Sequence, residues 1–482
     1  MSQNLAMPIK ATPFQHQRDA FDFACGLFGL TGQPGARSPG VAYLMDMGTG
    51  KTLTAIAVAG ALYRAGHIRR ALVVAPLSVL GVWREEFDKF ADFPNTLAVL
   101  TGKPQKKANI LSVMTGQILQ VVVINYESAW RLEKELRVWQ PQLIVTDEGH
   151  RLKSRTAAVS KAMHRLGAAA SYRILMTGTP IVCKALDVFS EYKFLNPEIF
   201  GSSFPAFKLR YLRETGYGGY TLVLRPEMEP EFTRRLHSIA FRATKAECLD
   251  LPETVDIIRP VELESAARKI YKELVNESYV QLGDGEVSAT NVLSKLLRLS
   301  QLTGGFITDD SGEVQQVSRA KLDALSDIVD EAEYEGRKLV IMARFIPEIG
   351  AICEMLNARG INHVCVRGGT TSRDEKVAKF QLYRDVRVFV GQIAAAGLGI
   401  TLTAADTMVF YSLDYNAANH EQARARIHRV GQQNQCTYIY LTATATTDVK
   451  ILKALRDKAD LARVLVDEYR RGVNPFEGGP VA

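Results

Sequence analysis

Three clusters in this sequence have residue types and spacings suited to handling phosphate groups. The first is MDMGTGKT, residues 45–52. Its glycines let the backbone N–H groups of Gly48, Thr49 and Gly50 face phosphate oxygens at a helix N-terminus, where such groups lack intrahelical partners. Lys51 can then reach the β and γ phosphates of a nucleoside triphosphate, and the Thr52 hydroxyl can ligate Mg²⁺. The usual phosphate-loop spacing wants a glycine where this chain has Met45, so a plain glycine turn before a helix is the competing reading. The second cluster is LIVTDEGH, residues 143–150, an apolar run ending in two acids. A carboxylate at the carboxyl end of a parallel strand can hold a nucleotide's metal, which suits Asp147. Glu148 is then placed to orient or deprotonate an attacking water. Alone, such a pair is equally a helix N-cap. The third is QARARIHRVGQ, residues 422–432. On a helix, Gln422, Arg426 and Arg429 share one face, and two guanidinium groups aimed one way can neutralise a transferring phosphoryl group. The competing reading is a solvated basic helix.

These groups need strands to present them. The first half of the chain alternates amphipathic stretches with short Val/Ile/Leu-rich runs bounded by turn residues: 41–46, 71–77, 121–126, 143–147 and 173–178. The second half repeats the theme at 338–344, 362–368, 386–391, 407–412 and 437–443. Such runs read as strands buried on both faces in parallel sheets covered by helices, an α/β fold. Residues 196–320 differ: they are charged and largely helical, with loops at GYGGY (216–220) and GDGE (283–286).

Bulk properties narrow the function classes. The 482 residues suffice for two to four domains, and 47% hydrophobic with 23% charged residues is ordinary globular composition. No apolar run is long enough for a membrane helix, and the first residues lack a secretory signal, so no membrane partner is expected. The six cysteines (Cys25, Cys183, Cys248, Cys353, Cys365 and Cys436) are scattered, which speaks against a zinc site or disulfide framework and fits an intracellular chain. In a bacterium or phage that means the cytoplasm. The net charge of +7 leans towards a polyanionic partner.

The motifs, taken in order, resemble those of the Swi/Snf-type ATPases of helicase superfamily two. PFQHQ (13–17) is similar to the adenine-recognising glutamine motif, with Gln17 as the glutamine. DMGTGKT resembles motif I, where this superfamily needs Gly48, Gly50, Lys51 and Thr52 but no earlier glycine. VVAPLSVLGVWREEFDKF (73–90) resembles motif Ia, NYE (125–127) the next lobe-one motif, and DEGHRLKS (147–154) motif II. LMTGTP (175–180) is similar to motif III, FLNPEIFGS (194–202) and FRATKAECLDLPE (241–253) to later family segments, AAGLGITLTAAD (395–406) to motif V and QARARIHRVGQ to motif VI.

The resemblance implies two RecA-like lobes with parallel sheets: lobe one over 1–255, lobe two over 256–471, and a frayed tail at 472–482. It also implies helical protrusions at about 196–240 and 262–318 that grip DNA. Gln17, Gly48, Thr49, Gly50, Lys51, Thr52 and Gln422 would bind ATP, Thr52 and Asp147 would hold Mg²⁺, and Lys51, Asp147, Glu148, Arg426 and Arg429 would act in hydrolysis. Nucleic-acid contacts would fall on Ser78, Trp83, Lys153, Thr177 and Gly178 in lobe one, and on Gly368, Gly369, Gly397 and Thr401 in lobe two; for Trp83 a place in the core is the competing reading. The implied activity is that of a DNA-dependent ATPase, a monomeric translocase on duplex or branched DNA, targeted by DNA shape or a protein partner. The bare architecture is expected of a phage or bacterial member. Motif V departs from the family: Gln392, Ile393 and Ala394 stand where Ser-Thr-Arg is usual, and Thr401 where Asn is usual. Two other readings compete: a helicase that unwinds or branch-migrates forks and junctions, with a hairpin within 210–235, and a clamp that has lost turnover.

Overall fold

The computed structural model describes residues 5–32, 35–178, 185–215, 221–248, 251–277, 279–282, 285–288, 292–370, 372–394 and 400–457. The chain divides into two units, Met1–Asp250 and Leu251–Ala482.

The first unit holds strands β1 (Gly40–Met45), β2 (Arg70–Ala75), β3 (Asn95–Val99), β4 (Leu119–Asn125), β5 (Leu143–Asp147), β6 (Tyr172–Thr177), β7 (Leu212–Thr215), β8 (Thr221–Leu224) and β9 (Ala240–Ala243). Seven of them form one sheet in the order β3-β4-β2-β5-β6-β1-β9, all parallel. Parallel neighbours need crossovers, and helices such as Lys51–Arg64 and Leu80–Phe90 supply them. Helices on the sheet faces explain why Leu72, Val73, Val122, Val123, Ile144 and Ile174 are all buried, and why these strands read as unbroken apolar runs. The order places β6 between β5 and β1, so their carboxyl ends lie side by side. β7 and β8 pair separately as an antiparallel hairpin. Beside it, Phe200, Phe207, Tyr211 and Phe232 pack ring against ring with centroids 4.9–6.4 Å apart.

The second unit holds β10 (Thr254–Val261), β11 (Tyr279–Leu282), β12 (Gly285–Ser288), β13 (Phe306–Thr308), β14 (Val314–Gln316), β15 (Leu339–Ala343), β16 (His363–Val366), β17 (Val388–Gln392), β18 (Thr407–Phe410) and β19 (Cys436–Ala443). Its six-stranded sheet runs β10-β19-β18-β15-β17-β16, again all parallel. Alternate residues serve opposite faces. Val340, Met342, Phe389 and Phe410 enter one core, and Leu339, Ile341, Val390 and Val409 the other. The hairpins β11–β12 and β13–β14 lie in the segment before β15. A buried ion pair, Lys321 Nζ to Asp448 Oδ2 at 2.5 Å, ties the helices Ala320–Tyr334 and Thr447–Arg456 together. Asp448 also accepts from Thr303 Oγ1 at 2.8 Å and Ala443 N–H at 3.0 Å.

Candidate nucleotide site

Met45 ends β1 and the chain turns through Asp46–Gly50 into the helix Lys51–Arg64. Gly48 and Gly50 take φ of 86° and 90°, the left-handed region that only glycine enters at little cost. At Gly50 a Cβ would also run into the Gln17 side-chain amide. Thr49 between them is fully buried, and its hydroxyl donates to the Asp46 carbonyl at 2.7 Å. Its own carbonyl accepts from Gln17 Nε2 at 3.1 Å and lies 2.8 Å from His16 Nε2. Threonine is tolerated there because its side chain turns inwards and closes the loop. Gln17 therefore braces the loop, and its Oε1 takes the Phe14 N–H at 3.0 Å. Each end of the amide keeps hydrogen-bonding capacity for a further partner.

Lys51 Nζ donates to the carbonyls of Met45 at 2.8 Å and Asp46 at 3.0 Å, which hold the ammonium over the end of β1. Asp147 ends β5 two strands away. Its Oδ2 accepts from Trp83 Nε1 at 3.1 Å, its Oδ1 from the Glu148 N–H at 3.0 Å, and its carbonyl from the Tyr126 hydroxyl at 2.7 Å. Burial and the adjacent Glu148 carboxylate raise its pKa, while the Trp83 N–H, the Lys51 ammonium and the Glu148 N–H pull it down. Glu148 sits at φ 51°, ψ 51°, a left-handed conformation costly for a residue with a Cβ. That twist turns the chain sharply at the end of β5, and the Glu148 carboxylate lies 3.3 Å from His150 Nδ1. β6 ends between the two clusters: Thr177 Oγ1 is 3.5 Å from His150 Nδ1, and a Cβ on Gly178 would stand 3.2 Å from Lys51 Nζ. The first unit thus brings Gln17, Gly48–Thr52, Asp147 and Glu148 to one end of one sheet. Two part-buried acids beside one ammonium, with the Thr52 hydroxyl at the helix start, form a hard-oxygen donor set that a divalent cation would relieve. Among the described residues, no cluster of three or more His, Cys, Asp or Glu could hold a metal.

In the second unit the expected helix stops short. It spans Ala417–Arg424, and Arg426 and Arg429 follow it on turns. Gln422 lies within the helix, so the three residues do not share one continuous helical face. The turns hold because Gly431 adopts φ 100° and Gln432 Nε2 donates to the carbonyls of Ala405 and Ile427 at 2.9 and 3.2 Å. Arg424 is committed elsewhere, donating to Asp256 Oδ1 at 2.6 Å. His428 Nε2 lies 2.9 Å from the Pro252 carbonyl. Arg426 is buried, and Arg429 Nη1 donates to Thr401 Oγ1 at 2.9 Å.

The expected nucleic-acid contacts separate. Lys153, Gly368 and Gly369 are exposed. Ser78 lies in the short turn Leu77–Val79 after β2. Trp83 is only 2% exposed and its indole N–H donates to Asp147 Oδ2, so its side chain lies in the core beside the acid pair, as the competing reading has it. Thr177 is equally buried, with its hydroxyl facing His150. Thr401 faces Arg429. Gly397 lies outside the described residues. The bracing by Tyr126 and Gln432 escaped sequence reading; the tyrosine of NYE and the last glutamine of HRVGQ were the available signals. No helix among the described residues is long and apolar enough to cross a membrane.

Comparison with known proteins identifies the family. Residues 41–304 match the SNF2-related domain and residues 320–431 the helicase conserved C-terminal domain. The chain is 25% identical over 440 residues to the chromodomain-helicase-DNA-binding protein 1-like of Danio rerio, a match covering 88% of this chain and 42% of that protein. It is 27% identical over 451 residues to the ATP-dependent helicase brm of Drosophila melanogaster, covering 86% and 27% respectively. Among solved structures it is similar to the Sulfolobus solfataricus SWI2/SNF2 ATPase core in complex with dsDNA, with 24% identity and TM-score 0.46 over 99% of this chain and 100% of that one. The chain spans about two fifths of the length of the first curated relatives it matches. With the phosphate loop, the paired acids and both halves of the helicase core accounted for, the chain belongs to the SNF2-related family, the Swi/Snf-type ATPases of helicase superfamily two.

Proposed function

We propose that this chain is a DNA-dependent ATPase that moves along double-stranded DNA. The observation that carries the reading is the convergence of the Lys51 loop and the Asp147–Glu148 pair at neighbouring strand ends of one sheet. In it, Gln17 reads the adenine, and Gly48–Lys51 bind the phosphates. Thr52 and Asp147 would hold Mg²⁺, which would supply charge neutralisation at the phosphates. Glu148 orients the water and takes its proton. Gln422, Arg426 and Arg429 come from the second lobe, the arginines neutralising charge on the transferring phosphoryl group, an effect worth about 10³–10⁵ in rate. Family membership and relatives named as helicases support ATP as the fuel and DNA as the partner. Phosphate contacts would dominate, making binding salt-sensitive and nearly sequence-blind. Ser78, Gly178 and the exposed Lys153, Gly368 and Gly369 are the contact candidates kept among the described residues, and the protein acts as a monomer.

The test is ATP turnover across single-stranded, duplex, forked and four-way DNA and RNA. Duplex DNA is expected to raise the rate severalfold or more; stimulation by single strands alone would refute the duplex reading. Arg429→Ala should abolish turnover and leave ATP binding largely intact, and near-normal hydrolysis would remove Arg429 from its role. The β7–β8 hairpin favours a second reading, strand separation at forks. Displacement of a labelled strand from forked DNA would establish it.

A further inference from the structure

Segments 400–405 and 426–432 are fastened together inside the second unit. The Leu402 N–H donates to the Arg426 carbonyl at 2.9 Å, and Gln432 Nε2 to the Ala405 carbonyl at 2.9 Å. Leu402 and Ile427 are fully buried, so the clasp is anchored in the core. Only one of these bonds reaches an arginine side chain: Arg429 Nη1 to Thr401 Oγ1 at 2.9 Å. A guanidinium on a long side chain sweeps many rotamers, and a fixed acceptor at its tip removes much of that freedom. The Thr401 oxygen is suited to this, since the backbone at Leu402 is pinned to Arg426, three residues before Arg429.

We propose that Thr401 is a positioning residue for Arg429: its hydroxyl oxygen holds the guanidinium in the orientation that stabilises the transferring phosphoryl group. This rests on the proposed role of Arg429 and adds the group that sets its aim. The threonine standing where asparagine is usual then has a definite task, and through its hydroxyl motif V reaches the chemistry.

The test compares Thr401→Val, which keeps the shape and loses the acceptor, with Thr401→Ser, which keeps the acceptor. Four quantities are measured on the full chain: kcat and KM for ATP, affinity for ADP–aluminium fluoride, affinity for a non-hydrolysable ATP analogue, and duplex affinity against salt. Thr401→Val should lower kcat and ADP–aluminium fluoride affinity by about 10–100-fold, the usual penalty of a misplaced group. KM, ATP-analogue affinity and duplex affinity should stay within about threefold of wild type, and Thr401→Ser should match wild type throughout. In an Arg429→Ala background, Thr401→Val should add nothing, since the two act as one unit. Retained kcat and transition-state-analogue affinity in Thr401→Val would overturn the proposal. So would a serine variant as impaired as the valine, or a loss confined to duplex affinity, which would make Thr401 a nucleic-acid contact. If Arg429→Ala alone hydrolyses ATP normally, the parent reading of Arg429 has failed, visible without any Thr401 variant.

Discussion

Replacing Trp83 by phenylalanine keeps most of a buried ring and removes one hydrogen-bond donor. That donor reaches Asp147 Oδ2 at 3.1 Å from a side chain 2% exposed, so no bulk water stands ready to replace it. A hydrogen bond to a charged group is worth about 1.5–3 kcal/mol. At about 1.4 kcal/mol per tenfold, the variant should lose about 10–150-fold in whatever requires the Asp147 carboxylate to be ionised and aimed. Loss of an outer partner of a metal ligand costs about 10–100-fold in affinity or activity, in agreement. The assay is DNA-stimulated ATP hydrolysis titrated with Mg²⁺ at fixed ATP, alongside duplex affinity over a range of salt. The expected result is a Mg²⁺ requirement shifted upwards by one to two decades, with duplex affinity and its salt dependence unchanged. A variant with wild-type Mg²⁺ dependence and weakened duplex binding would refute the argument, because it would place the indole on the DNA.

Three further outcomes follow from the geometry. Gly50→Ala must adopt φ 90° and collides with the Gln17 amide; nucleotide affinity should fall at least tenfold, measured by fluorescent nucleotide binding. Asp448→Ala strands a buried Lys321 ammonium and should destabilise the second unit by about 3–5 kcal/mol, read as lost amide-exchange protection along β19. Glu348 is buried, with its pKa pushed up from 4.5 to about 7 chiefly by desolvation, against the opposing hydrogen bond from Ser412. The native state holds the proton that the unfolded chain releases, so this group's contribution is complete below pH 4.5 and fades as pH rises towards 7. Glu348→Gln should flatten the fall in stability across that window, and a denaturation series in which both proteins share the same slope would exclude the effect.

Sequence legibility followed burial. Strands such as β2, β5 and β15 are buried along nearly their whole length, and their apolar runs are plain in the sequence. β3, β9 and β10 are edge strands, and their half-exposed residues interrupt the apolar pattern: Arg242 in β9, Asp256 and Arg259 in β10. Edge strands tolerate charge and proline, as Pro260 in β10 illustrates, so nothing in their composition marks them as strands. The phosphate loop and the acid pair were readable because their chemistry depends on residues adjacent in sequence. The ties that bind Trp83 to Asp147, Gln17 to Thr49 and Thr401 to Arg429 span many residues, and no local pattern encodes them. The end of the helix at Arg424 was likewise hidden, since the next residues are good helix formers and the turn is fixed by Gln432 from beyond the glycine.

The strand that opens the second sheet pairs only with the strand that closes it. β10 lies against β19 along its whole length, and among the described residues no other strand of the sheet pairs with it. On a ribosome adding about 5–20 residues per second, the roughly 175 residues between Val261 and Cys436 take about 10–35 seconds to emerge. Throughout that interval the backbone N–H and C=O groups of β10 lack their strand partner, while Asp256, Arg259 and Pro260 discourage pairing with another nascent chain. Synthesis rate and chaperone capture during that wait should therefore bear on how much folded protein a cell recovers. Any nascent chain stalled before Ala443 would carry an incomplete seam that its own sequence cannot yet close.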